Sequence, residues 1–157
     1  MITILHISDL HIHSNYDQDQ VLDKFLDDLK NQEKIDLVVC SGDIFAKGNY
    51  NKSIVEYAQN FFHKLNKITN NAEIILCAGN HDVNLKIRDS IFSSIFDIKD
   101  HKAAVNLFDK LYHEPKKDLL AHLSDYNDFA STIVNIPLEN KIFFTKSITI
   151  NNHNIGI

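Results

Sequence analysis

The stretch ITILHISDLHIHS, Ile2 to Ser14, runs from β-branched apolar residues into a carboxylate and imidazoles set two apart, with Asp9, His11 and His13 inside five positions. Ile2 to Ile7 is short and nearly continuous in its apolarity, which predicts a strand covered on both faces in a parallel sheet. Asp9 and His11 follow directly on that strand's end, where open α/β sheets present their ligand-binding groups. The reading holds only if the rest of the chain repeats the pattern.

It repeats twice. Val21, Leu22, Phe25, Leu26 and Leu29 recur at helical spacing and predict a first helix ending near Asn31. Ile35 to Cys40 is a second apolar run, closed by Gly42. Ile54, Ala58, Phe61, Leu65 and Ile68 predict a second helix, with Ser53 and Glu56 in capping-box spacing at its start. Ile74 to Cys77 is a third strand, broken by Gly79. Strands alternating with helices of this length imply a parallel sheet joined by crossover helices.

Each predicted strand is followed at once by a polar cluster: Asp9-Leu10-His11, Gly42-Asp43 and Gly79-Asn80-His81-Asp82. Asp9 and Asp43 are 34 residues apart and Asp43 and Asn80 are 37 apart, each about one βαβ unit, so the clusters should meet at the carboxyl edge of one sheet. Asp9 and Asp43 offer hard anionic oxygens, Asn80 an amide oxygen and His11 an imidazole nitrogen. That mixture suits Mn, Fe or Zn and lacks the thiolates of a structural zinc site. If Asp43 bridges two divalent ions, their separation would be roughly 3.5–4 Å, the arrangement that activates water and clamps a phosphoryl group.

Composition narrows the class. A chain of 157 residues is one domain in size, with ordinary apolar and charged content and no apolar run long enough to span a bilayer. Its start has no basic region or small-residue cleavage site, and it carries only Cys40 and Cys77. The expectation is a soluble cytoplasmic protein with free thiols, without membrane partners. A net charge of −5 argues against a broad phosphate-tracking surface, so an anionic substrate must be held locally, by metal ions.

The three clusters, in their settings ISDLH, VVCSGDIF and CAGNHD, resemble the first signature blocks of the calcineurin-like metallophosphoesterases. Asp-x-His is common by chance, whereas Gly-Asn-His-Asp is expected in on the order of one chain in a thousand at average composition. The resemblance implies a layered α/β/β/α sandwich and a metal-dependent hydrolase of phosphate esters, of phosphodiesterase or nuclease type, whose dinuclear centre activates water. By it Asp9 and His11 would hold the first metal, Asp43 would bridge, and Asn80 would hold the second, the two being divalent ions with Mn ahead of Fe or Zn. His81 would contact the phosphate and protonate the leaving oxygen, and Asp82 would orient His81. The motif settings are nearer to nuclease and nucleotide-diesterase members than to protein phosphatases. Nucleotide or nucleic acid is therefore the implied partner, and a larger multidomain chain the implied context.

Family members carry further metal-binding blocks downstream, a lone histidine and a Gly-His-x-His, and the chain has neither. KSITINNHNIGI reads as a hairpin around Asn151, Asn152 and His153 that stops in mid-strand. The expectation is thus the front part of a calcineurin-like domain over 1–157, incomplete at its C-terminus, with a helical insertion at about 84–141. Stripes at Ile87 to Ile98, Val105 to Tyr112 and Leu119 to Ala130 suggest its helices, serving either as a lid or as packing. The alternative function is a catalytically degenerate phosphoesterase fold used as a binding or assembly module in a larger protein. His6 reads as a hydrogen-bonded structural histidine, His13 as either a pocket-mouth or a solvated residue, and His63, His101, His113 and His122 as surface. Lys116 and Lys117 read as a solvated face, and Cys40 and Cys77 as core packing.

Overall fold

The structure, a computed structural model, describes residues 2–13, 16–86, 100–103, 105–106, 121–134, 147–150 and 153–156. Three short parallel strands, β1 (Ile4–Ile7), β2 (Leu37–Cys40) and β3 (Glu73–Leu76), lie side by side in that order. Ile4 pairs with Leu37 and Leu37 with Glu73, so the three strands end level with one another. Helix α1 (Tyr16–Leu29) connects β1 to β2, and α2 (Lys52–Ile68) connects β2 to β3. The βαβ alternation expected from hydrophobic period is present.

The sheet's two faces are covered differently. Leu5, Ile7, Val38, Cys40, Ile74 and Leu76 alternate onto the face that packs against α1 and α2, where Leu22, Leu26, Ala58 and Phe62 complete the main core. On the other face Leu37 and Ile75 meet Ile148 of an antiparallel hairpin, β4 (Ser147–Ile150) and β5 (His153–Gly156). Helices, parallel sheet and hairpin thus form the layered α/β sandwich. The hairpin lies over β2 and β3, which leaves Ile4 54% exposed and His6 exposed, so β1 is not covered on both faces as its sequence suggested.

Further details depart from the sequence reading for local reasons. Val21 is 66% exposed: at roughly 100° per residue it falls about 90° from the centre of the stripe that Leu22, Phe25, Leu26 and Leu29 define. The N-cap of α2 is Asn51, whose side chain accepts from the Ile54 amide at 3.0 Å, while Ser53 donates its hydroxyl to Asn51 instead of forming a box with Glu56. The residues between the hairpin strands are 151–152, and His153 opens β5.

In the region expected to be an insertion, a 3₁₀ turn (Ala121–Leu123) leads into α3 (Ser124–Val134). Tyr126, Phe129 and Ala130 of α3 are buried in the main core, and Gln59 of α2 donates to Thr132 at 3.2 Å. This part of the region packs as core. Val105 is 43% exposed, and the stripes proposed at Ile87 to Ile98 and from Phe108 to Leu120 fall outside the described residues.

Candidate metal centre

The chain does not diverge where β1 and β2 end. The amide of Asp9 donates to the Gly42 carbonyl at 3.1 Å, that of His11 to Asp43 at 2.9 Å and that of Ile12 to Ile44 at 2.7 Å, which carries the parallel pairing past the strands as far as an Ile12–Phe45 bridge. Along this zippered stretch Asp9, His11 and Asp43 all adopt left-handed backbone, with φ of 56°, 46° and 55°. Asp and His enter that region more readily than most residues, yet each such residue costs of order 1–3 kcal/mol, and such strain concentrates at functional sites. Its geometric result is that one ligand atom from each of the three side chains lies within 4.8 Å of the other two.

The third loop closes onto this pair. The His81 amide donates to Asp43 Oδ1 at 2.8 Å, and the His81 ring meets that of His11 edge-on with centroids 4.8 Å apart. Asn80, exposed, stands immediately before it in the loop. Two glycines allow the approach. Gly42 has φ of 115°, open only to a residue without Cβ, and a Cβ added there would stand 2.6 Å from the Gly79 nitrogen. A Cβ on Gly79 would run into the Asp43 carboxylate, 2.7 Å from its Cγ.

Asp82 is completely buried and points into the protein. Its two carboxylate oxygens accept from the amides of Phe45, at 2.8 Å, and Gly79, at 2.9 Å, so it ties the second loop to the third. Burial pushes its carboxyl above the usual range and the nearby Asp43 charge adds to this, while the Gly79, Phe45 and Asp43 amides pull it down.

Every residue that the motifs singled out therefore sits in these three loops, where Asp9, His11, Asp43 and His81 face one another. The donor set is two carboxylates and an imidazole, partly exposed where the loops meet, and this fits a divalent cation with open coordination positions better than a closed structural site. Two neighbours carry no motif signal. Ser8 donates its hydroxyl to Asp9 Oδ2 at 2.6 Å, and Tyr50 donates its hydroxyl to the Asp82 carbonyl at 2.5 Å. Only the adjacency of Ser8 to Asp9 was visible in sequence.

The remaining candidates sort by face. His6 Nε2 lies 2.8 Å from the Ser41 hydroxyl, a structural pairing on the exposed side of the sheet, and His13 Nδ1 lies 2.7 Å from the His11 carbonyl oxygen. Cys40 is buried in the core as expected, but Cys77 is exposed. Cys40 pairs in register with Leu76 and faces the helices with it, so Cys77, one residue on, is carried to the opposite face.

The family model described as calcineurin-like phosphoesterase matches residues 2–155. No curated protein matches the chain. No helix among the described residues is long and apolar enough to cross a membrane. Matched over nearly its whole length, and with the motif residues of three loops gathered at the carboxyl edge of a parallel sheet, the chain belongs to the calcineurin-like phosphoesterases, a family that uses divalent metals to hydrolyse phosphate esters.

Proposed function

We propose that the protein is a phosphodiesterase of the nuclease or nucleotide-diesterase kind that works with two divalent ions, Mn first among them. The observation that carries this is the convergence of Asp9, His11 and Asp43 within 4.8 Å on three strained backbone positions. A fold that needed no ligands there would gain nothing from bringing two carboxylates together at that cost.

In this reading Asp9 and His11 hold one ion, Asn80 the other, and Asp43 both. The ions, when bound, supply Lewis acidity and neutralise charge on a phosphoryl group. Asp43 is steadied for its part by the His81 amide, which already occupies Oδ1. The His81 ring, which stands beside that of His11, gives a proton to the leaving oxygen in this reading. Asp82 acts on His81 through the backbone, by clamping the loop on either side of Asn80 and His81 to Phe45.

The test is metal content and turnover together in the full-length protein. Wild type should hold two ions per chain by plasma-emission analysis and hydrolyse bis-nitrophenyl phosphate when supplied with Mn. Asp43→Asn should lose both ions and the activity. Equal metal content in the two proteins would remove the bridging role.

A further inference from the structure

We propose that Tyr50, which lies outside all three motifs, is a positioning residue of the metal centre: its hydroxyl bond to the Asp82 carbonyl fixes the loop that presents Asn80 and His81. The proposal rests on the metal-dependent reading above and names a residue on which that site depends.

The loop from Ala78 to Val83 has to aim two side chains while staying open to solvent at Asn80. The first two backbone carbonyls after Asn80 are both held by the segment that leaves the second motif. The Gly48 amide donates to the His81 carbonyl at 2.7 Å, and the Tyr50 hydroxyl donates to the Asp82 carbonyl at 2.5 Å. On the other side, the His81 amide is committed to Asp43. His81 is therefore suspended between Asp43 and the 48–50 segment, and a shift in that segment moves its ring against His11.

Tyr50 is itself held. Its ring packs on Phe45 with centroids 4.4 Å apart, and Phe45 meets Phe129 of α3 edge-on at 4.8 Å. The Phe45 amide also binds the Asp82 carboxylate. The aromatic stack thus anchors one residue, Asp82, through both its carbonyl and its side chain. Burial raises the Tyr50 phenol above its usual range, and the Asp82 charge adds to this.

A second tyrosine supplies the control. Tyr126 of α3 is 4% exposed, and its hydroxyl has no hydrogen-bond partner among the described residues. Removing the oxygen from either ring keeps the ring's packing, and only Tyr50 gives up a bond to the metal-bearing loop.

The experiment compares Tyr50→Phe and Tyr126→Phe in the full-length protein. By calorimetric Mn titration, Tyr50→Phe should weaken one of the two ions by roughly 10–100-fold, the usual effect of losing a group that orients ligands from behind, and leave the other ion near wild type. Tyr126→Phe should bind both like wild type. In the metal-free protein, exchange of the His81 amide should speed by about tenfold in Tyr50→Phe alone, because that amide's bond to Asp43 depends on where the loop sits. Unchanged ion affinities with unchanged His81 exchange would overturn the proposal, as would equal losses in the two variants. If wild type took up no ions, the metal-dependent reading would fall, and the exchange measurement alone would decide the role of Tyr50.

Discussion

Gly42 and Gly79 stand back to back where β2 and β3 release the chain: a Cβ on Gly42 would lie 2.6 Å from the Gly79 nitrogen and 2.7 Å from its Cα. The same closeness puts the Cα of Gly79 against the Asp43 side chain, so the loop carrying Asn80 and His81 reaches Asp43 only because neither glycine has a side chain.

Gly79→Ala should therefore damage the site more than the fold. The added methyl cannot coexist with the Asp43 carboxylate where it stands. Overpacking of this kind costs about 1–3 kcal/mol. The same Cβ would stand 2.4 Å from the Asp43 backbone nitrogen, which no side-chain rotation relieves, so the two loops should move apart and carry the carboxylate away from His11. Metal affinity should fall by at least tenfold while the protein still melts cooperatively, a few degrees lower. Wild-type metal binding in this variant would mean that the Asp43 carboxylate is not needed where the structure puts it.

His81→Ala removes an imidazole and leaves the backbone amide that holds Asp43 Oδ1. Metal content should stay at the wild-type level while turnover falls by roughly 10²–10⁴, the range for general-acid help. The drop should be smaller for bis-nitrophenyl phosphate than for an alkyl diester, since a nitrophenolate leaves with little protonation. Equal penalties on both substrates would assign His81 to holding phosphate instead of delivering a proton.

The two cysteines should differ in reactivity. Cys77 is exposed, whereas burial pushes the Cys40 thiol up from 9.0 to about 12, a shift that the backbone bond from Gly42 only partly offsets. At pH 8 a disulfide reagent should label one thiol per native chain promptly, and the second only after denaturant is added. The raised value also sets a stability trend. The folded state keeps the proton more tightly than the unfolded chain, so the Cys40 contribution is full below about pH 9 and declines from there as pH climbs towards 12. Cys40→Ser, with a hydroxyl that does not titrate in that window, should flatten this part of the pH–stability curve. Prompt labelling of both thiols would show that the β2 end of the core opens readily.

What the sequence determined by itself was the placement of chemistry on topology. Alternating β-branched runs and helical stripes are local patterns, and a polar motif directly after each of three such runs has to emerge at the same edge of a parallel sheet. The meeting of the segments that carry Asp9, His11, Asp43, Asn80 and His81 at one edge was legible on those grounds, as was the burial of Cys40 in the core. The tertiary structure decided everything that depended on what lies opposite. Cys77 is an apolar residue in an apolar run, yet it is exposed, because the area of a sheet that is covered is set by the elements packed on it. Asn51 caps α2 because its side chain, and not that of Ser53, reaches the Ile54 amide. The Asp82 carboxylate clamps two loops, which no spacing rule announces, since its partner Phe45 is 37 residues away. The Tyr50–Asp82 bond spans 32 residues and joins a tyrosine in an unremarked loop to a motif backbone carbonyl. Hydrophobic period and motif spacing are properties of neighbouring residues along the chain. A hydrogen bond across such a separation is a property of the folded loops alone, because only their packing brings its donor and acceptor into reach.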